Sequence, residues 1–427
     1  EVVLEVAEIR SYGAESLQGL LAELCMLTSS PRGGAPAILL NGRRISGLRE
    51  IRNYPPEALA SVEVLPEAVA LKFGFRADQK VINFILRDRF HALTASARLG
   101  GATDGGQTLG EGRLSNLRIR NDSRWNIDLE VEHQDALFES DRDIIRLDGD
   151  LGADRSLQPE QNTAGLTGSY SHFLPGDISA TYTLGLDASE QQAAIAQSGT
   201  SETLDRDTNS WGIDASFVLN KTYDDWNWSL NGRLASDQTD STTQPDLLSG
   251  LADSTDASSD EASLEAVGFF KLVALPAGDL VTTLKAGAET EDLSTESERD
   301  GGLTRTNLSR DGVNAQINLD APLLDRDMAN NPLGFVSLNA NARVDDVSDV
   351  GGLSTYGMGL TWHPLESVQI IASDSRSEDA PSLAALGNPI SAIDNARIFD
   401  FASGETVDGV ELISGGNPDL SPETRNI

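Results

Sequence analysis

The stretch Trp125-Asn126-Ile127-Asp128-Leu129-Glu130-Val131-Glu132 decides the fold. Every second residue is apolar, and the residues between are polar or charged. A strand sends successive side chains to opposite faces, so this segment has one greasy side and one wet side. Helical spacing would mix the two sets on one surface.

The same alternation recurs along the chain. Ile178, Ala180, Tyr182, Leu184 and Leu186 carry one apolar face, and Trp211, Ile213, Ala215, Phe217 and Leu219 another. Trp226, Trp228, Leu230 and Leu234 stand opposite Asn227, Ser229, Asn231 and Arg233. Val336, Leu338, Ala340, Ala342 and Val344 alternate with Ser337, Asn339, Asn341 and Arg343. Tyr356, Met358, Leu360 and Trp362 follow, then Val368, Ile370 and Ala372. Gln107 to Ile119 is the weakest case, because Glu111, Arg113 and Arg118 blur it. Such two-faced strands suit either a soluble sheet on a core or a membrane barrel with lipid outside.

Connection length separates these. Short turns are expected at 120–123, 175–177, 223–225, 276–278 and 364–366, with an intermediate one at 324–332. Long polar loops are expected at 139–163, 190–208, 239–260, 293–310 and 379–421. Antiparallel strands put alternate connections at opposite ends, so one end is tight and the other is long and acidic. That is the outer-membrane pattern of short periplasmic turns and long external loops. Trp125, Phe173, Trp226, Trp228, Phe335 and Trp362 lie beside the tight or intermediate turns, as an interfacial girdle would. About thirteen strands are expected from His91 to Arg376, part of a larger barrel whose later strands lie beyond Ile427, because single-chain bacterial barrels close with an even number. The barrel portion is 90–427, ending in a long external loop.

Before Arg89 the pattern changes. Leu17, Leu20, Leu21 and Leu24 predict a helix over Glu15–Leu27. Pro31–Pro36 reads as a linker, Ala37–Leu40 as a strand, and Asn41-Gly42 as a tight turn. Pro55-Pro56 opens a short helix through Ala60, followed by strands at Ser61–Leu65 and Val81–Leu86. Residues 1–89 are thus a small α+β unit.

The net charge is −35, from 67 acidic and 32 basic residues, which argues against a nucleic-acid partner. The excess acid reads as solvated surface, or as loops facing a surface rich in divalent cations. No run of about 18 apolar residues suggests a membrane helix. Glycine is abundant at 39 residues, as turns require. The single cysteine, Cys25, rules out an internal disulfide and reads as a small buried residue. Four scattered histidines offer no metal-ligand spacing, and no catalytic constellation or cofactor motif stands out. Arg43, Arg44, Arg49 and Arg52 form either a basic patch for an anionic ligand or partners for acids on the barrel wall.

Four stretches bear a family likeness. Ala37-Ile-Leu-Leu-Asn41-Gly42-Arg43-Arg-Ile-Ser-Gly47 resembles the "NGR" segment of TonB-dependent receptor plugs. Glu50 to Pro66, with Pro56, Val62, Glu63 and Val64, resembles the plug's "P-x-x-x-I-x-x-V-E-V-L". Ala70 to Arg87, with Gly74, Val81 and Asn83, resembles its "A-x-x-Y-G…V-I-N-I" close. Downstream, Gly416-Asn417-Pro418-Asp-Leu420-Ser-Pro422-Glu423 resembles the "G-N-P-x-L-x-P-E" segment ahead of a later barrel strand. Asp78-Gln79-Lys80 replaces the usual glycine pair, the mark of a divergent subgroup.

The resemblance implies an α+β plug inside an antiparallel transmembrane barrel in a Gram-negative outer membrane. It implies uptake of a scarce small extracellular ligand of the ferric siderophore, cobalamin or glycan class, with no covalent chemistry and no cofactor. Its partners would be outer-membrane lipid and the inner-membrane TonB complex, whose coupling segment, like any export signal, is expected upstream of Glu1. Two rivals stand beside it. A passive porin or structural barrel explains the strands but gives residues 15–90 no role. A soluble β-rich enzyme or adhesin does not explain the alternating connections.

Overall fold

The computed structural model describes all residues except 1, 30–34, 66, 71–72, 76–78, 145–153, 197–202, 245–249, 300, 327, 329–330, 366–367, 390 and 427. The N-terminal unit is a five-stranded sheet in the order β1-β4-β5-β2-β3. Its strands are β1 (Val2–Glu5), β2 (Ala37–Leu40), β3 (Arg43–Arg44), β4 (Leu59–Leu65) and β5 (Val81–Leu86). Helices α1 (Val6–Ser11), α2 (Leu17–Glu23), α3 (Cys25–Thr28) and α4 (Glu67–Ala70) accompany it.

Helix α2 starts where Ser16 accepts a hydrogen bond from the Gly19 amide at 3.2 Å, a side-chain N-cap. Leu17, Leu20 and Leu24 are fully buried with Ile51, Tyr54, Val62 and Phe84. The expected helix Glu15–Leu27 is thus two pieces meeting at Leu24. Cys25 is exposed, contrary to expectation, because it lies one step round from that leucine row. The helix expected after Pro55 is only a 3₁₀ turn, Pro56–Ala58, because Leu59 already pairs with Leu86 in the sheet. Most of the expected linker 31–36, and Asp78, lie outside the described residues.

A fourteen-stranded antiparallel sheet follows. Its first members are β6 (Arg89–Gly101), β7 (Thr108–Arg120) and β8 (Ser123–Gln134). A small pair, β9 (Leu137–Phe138) and β10 (Ser156–Gln158), interrupts. The wall continues with β11 (Glu160–Leu174), β12 (Ile178–Ala196), β13 (Thr203–Thr222), β14 (Trp226–Thr243), β15 (Asp253–Leu275) and β16 (Gly278–Arg299). Then come β17 (Gly302–Leu324), β18 (Phe335–Val347), β19 (Gly351–Leu365) and β20 (Val368–Asp379). After α5 (Leu383–Gly387) and the hairpin of β21 (Ser391–Asp400) and β22 (Glu405–Ser414), β23 (Glu423–Asn426) pairs with β20. Thirteen wall strands fall between Arg89 and Asp379. The sheet is open among the described residues, with β6 and β23 at its edges.

Register shows what the two faces are for. Leu114, Leu129, Leu166, Leu186 and Ile213 sit directly opposite one another on β7, β8, β11, β12 and β13, all on one face and all exposed. An exposed apolar row this long is a membrane-facing or partner-facing surface. Two rows nearer the tight turns, Trp125, Tyr170 and Tyr182 stand opposite one another, with His172 stacked against both tyrosines. Trp226, Trp228 and Trp362 share this outer register. Phe173 and Phe335 do not: they lie on the polar face, Phe173 opposite Ser179 and Phe335 opposite His363 on the same side of β18 as Asn339.

The expected long connections need correction. Much of 190–208, 239–260 and 293–310 is strand, not loop. Strand β15 has 23 residues, roughly 75 Å at about 3.3 Å each, where about ten suffice to cross a bilayer. Apolar alternation ends where the greasy face ends, but the backbone ladder runs on through Ser, Thr and Asp. The segment 379–421 is structured too. Gly416 and Asn417 donate backbone hydrogen bonds to Asn388 and Ala385 at 2.9 and 2.7 Å, and Gly416 has no room for a Cβ against Gly387.

Candidate functional site

The polar face of the wall holds the N-terminal unit. Strands β7, β8, β11, β12, β13 and β15 all touch it, so the sheet is concave toward the unit. Leu117 and Ile119 of β7 complete the unit's own core. This explains the blurred alternation of 107–119: β7 turns apolar residues inward at its lower end, while Glu111 and Arg113 point inward higher up.

The arginines of the 43–52 segment make most of the remaining contacts. Arg44 lies 2.7 Å from Glu265 of β15, which Lys285 of β16 also pairs. The Arg44 carbonyl accepts from Asn220 of β13 at 3.0 Å, and its guanidinium covers the Phe75 ring. Arg49 reaches Asp187 of β12 at 2.7 Å, against a strand that Gly185 leaves bare of a side chain. Both pairs meet by charge and distance rather than by aligned hydrogen bonds. Arg43 stacks over Phe173. These are wall partners, the second of the two readings of the arginines.

Glu50 makes the most enclosed contact. It is 2 % exposed and pairs with Arg124 of β8, while its other oxygen accepts from the Ser46 amide and hydroxyl at 2.9 and 3.0 Å. Arg124 also covers the ring of Tyr54. Burial pushes the Tyr54 phenol up to about 12, so it is neutral at any ordinary pH. Its hydroxyl lies toward Ser169 without closing a bond of good geometry.

The motif residues turn out to be mostly joints within the unit. Asn41 (φ 50°) and Gly42 (φ 70°) make the turn between β2 and β3. Asn41 accepts from the Leu86 amide at 2.8 Å, and Gly42 donates to Asn83 at 2.8 Å. Asn83 then donates to Glu63 at 2.8 Å. Val62, Val64, Val81 and Pro56 are buried. Gly74 is different, because it faces the wall. At φ +73° a Cβ there would lie 2.8 Å from the Val267 side chain of β15. In the downstream motif, Asn417 caps its own turn by accepting from the Asp419 amide at 3.0 Å, and Glu423 pairs with Asp379 across the sheet. Pro418, Leu420 and Pro422 are exposed on that segment.

Above the unit, the polar face carries its own ion pairs: Arg113 with Glu130 at 2.6 Å, Arg233 with Asp214 and Glu261 at 2.7 and 2.5 Å, and Arg343 with Asp345 at 2.5 Å. Arg310 is nearly buried, forks onto Asp349 at 2.8 and 2.6 Å, and donates to the Pro381 carbonyl at 2.7 Å. Sequence reasoning missed Arg310 and Arg124, since their partners lie 39 and 74 residues away with no spacing signal.

No protein-family model matches the sequence, and no curated protein does. Solved structures do share the fold. The siderophore receptor PirA of Pseudomonas aeruginosa superposes over 99 % of this chain and 69 % of its own, at 16 % identity and a TM-score of 0.53. The ferric enterobactin receptor PfeA bound to BCV-L6 covers 99 % and 68 %, at 13 % identity and a TM-score of 0.61. The RagAB peptide transporter covers 97 % and 60 %, at 9 % identity and a TM-score of 0.52. At these identities the likeness is one of fold, and the chain spans roughly two thirds of these neighbours' length.

Proposed function

We propose that this chain, which has the fold of outer-membrane siderophore receptors, is the plug and leading barrel portion of an outer-membrane importer. It takes up a scarce nutrient of the ferric siderophore, cobalamin or glycan class, driven by the inner-membrane TonB complex. One observation carries the reading: a compact unit sits on the polar, concave face of a wall whose other face is a continuous apolar band. Lipid on the convex side and a removable stopper on the concave side account for both faces. A passive pore has no use for a stopper held by charges.

The contacts suit a gate. Ion pairs and hydrogen bonds can be exchanged for water as the unit shifts, whereas a wholly apolar interface would expose grease. Polar inner walls also let a hydrated ligand pass once the unit moves. The residues of 1–89 act as the plug and the strands from β6 onward as the barrel.

The test is removal of residues 1–89 from the full-length protein, followed by conductance in a planar bilayer. A large, permanently open pore is expected, together with loss of motor-dependent uptake. A barrel that inserts yet stays closed without this unit would refute the plug assignment.

A further inference from the structure

Just above the unit, the inner face of β8 and β11 to β14 lines an open cavity of about 340 Å³, within the usual range for small-ligand sites. Arg52 of the unit contributes to it, with Glu130, Gln161, Asp187, Ser189 and Asp237 of the wall. The charges here are unevenly committed. Glu130 is held by Arg113 at 2.6 Å, and Asp187 by Arg49 at 2.7 Å. Asp237 forms no ion pair among the described residues, and Gly212 opposite it has no Cβ, which leaves its carboxylate a slot against the strand. The Arg52 Nε is buried and has no hydrogen-bond partner. Below Glu130 on the same face of β8, Asp128 is 3 % exposed and keeps one carboxylate oxygen unpartnered.

The cavity therefore holds one uncommitted acceptor at its side, one uncommitted donor at its floor, and an amide and hydroxyls that serve as either. A hydroxyl both donates and accepts, so a polyol can satisfy all of these at once. An anion would bind Arg52 but would meet the Asp237 carboxylate, with Glu130 and Asp187 close behind. Asp237 is exposed and open to a ligand, while the buried Arg52 Nε is costly to leave unpaired, so the site favours ligands that complete it.

We propose that this cavity is a binding site for a neutral, hydroxyl-rich ligand, a carbohydrate of one or two rings, with Asp237 and Gln161 as its specificity-determining contacts. The assignment rests on the importer reading, and it narrows the nutrient away from anionic iron complexes.

The experiment is calorimetric titration of the purified full-length protein in detergent. The probes are maltose, cellobiose, xylobiose and N,N′-diacetylchitobiose, with a ferric tris-catecholate as the anionic probe. At least one disaccharide is expected to bind with Kd below about 1 mM. Asp237→Ala and Gln161→Ala should each weaken it about tenfold, while Asp292→Ala, on the opposite face of the wall, leaves it unchanged. Three results overturn the proposal: no disaccharide binds, the bound disaccharide ignores both cavity variants, or the catecholate binds more tightly than any sugar. Uptake with and without the inner-membrane motor is measured beside it. Motor-dependent uptake with indifferent cavity variants would sink this site and keep the importer. Motor-independent uptake with sensitive cavity variants would do the reverse.

Discussion

The lower and upper parts of the same wall treat charge in opposite ways. Low down, where β8 and β15 grip the N-terminal unit, buried Glu50 meets Arg124, and largely buried Glu265 lies between Arg44 and Lys285. Higher up, β14, β15 and β16 also set acid against acid: Asp240 opposite Asp256 opposite Glu296, Asp260 opposite Asp292, and Glu261 opposite Glu291, with Arg305 and Arg233 beside only Glu296 and Glu261. Burial makes the difference. A carboxylate removed from water needs a cation and hydrogen bonds, while one that stays wet tolerates a like neighbour at small cost. So the pairs below are structure, and those exposed acids above that have no cation beside them mainly set a local field.

The largest effect should come from breaking a buried pair. Glu50→Ala leaves Arg124 enclosed with no counter-charge and orphans two donors of Ser46. Removing one partner of a buried pair costs about 3–5 kcal/mol. Hydrogen exchange at the β4 and β5 amides should show protection falling by that amount. The matching change above, Glu296→Ala, frees an exposed Arg305 and should leave exchange in its hairpin unaltered. Equal losses in the two variants would erase the contrast.

Tyr54 offers a pH-controlled version. Its folded-state pKa, raised to about 12 by burial, exceeds the unfolded value of 10. Folding thus favours the neutral phenol, and its contribution is whole below pH 10 and lost as pH climbs toward 12. Two units correspond to roughly 3 kcal/mol. The alkaline unfolding midpoint of Tyr54→Phe should therefore lie above that of the natural protein. Identical alkaline limbs would mean that the phenol is not sealed between the unit and β8.

Gly74 probes the apolar side of the same grip. Gly74→Val meets both a positive φ and the Val267 side chain, at an expected cost of about 1–3 kcal/mol. Pairing it with Val267→Ala should recover the steric part and leave the backbone part. Thermal denaturation of the two variants separates them, and no recovery at all would assign the whole cost to φ.

What could be read from sequence followed from how local its cause was. Trp125 to Glu132 was legible because one face must be greasy and the other wet. Asn41-Gly42 was legible because few residues accept two positive φ values in a row. The strands of 190–208, 239–260 and 293–310 were hidden, since a polar ladder with water on both sides leaves no alternation. The β7 parity was hidden because Leu117 and Ile119 serve a core built from Leu4 to Leu86, far earlier in the chain. The cavity was wholly illegible: Asp237 lies just ahead of the stretch 239–260 that reads as a long polar loop, and its companions come from several other elements at no fixed spacing.

The smallest effect is the most specific to the upper wall. Asp256 sits directly opposite both Asp240 and Glu296, so Asp256→Asn removes two like-charge contacts at once while keeping the size and the ladder. Like charges directly opposite one another cost up to about 1 kcal/mol in a sheet, and solvent exposure reduces this further. The variant should therefore gain a few tenths of a kcal/mol (about 0.3) of hairpin stability. Slower proteolytic nicking between β14 and β15 would report it. The gain should vanish in about 1 M salt, where the Debye length falls to about 3 Å. Glu50→Ala, sealed against Arg124, should keep its full effect at the same salt. If instead the Asp256→Asn gain persists in high salt, or becomes a loss, then the acid is engaged by something bound and not merely repelled, and the upper wall would resemble the lower one after all.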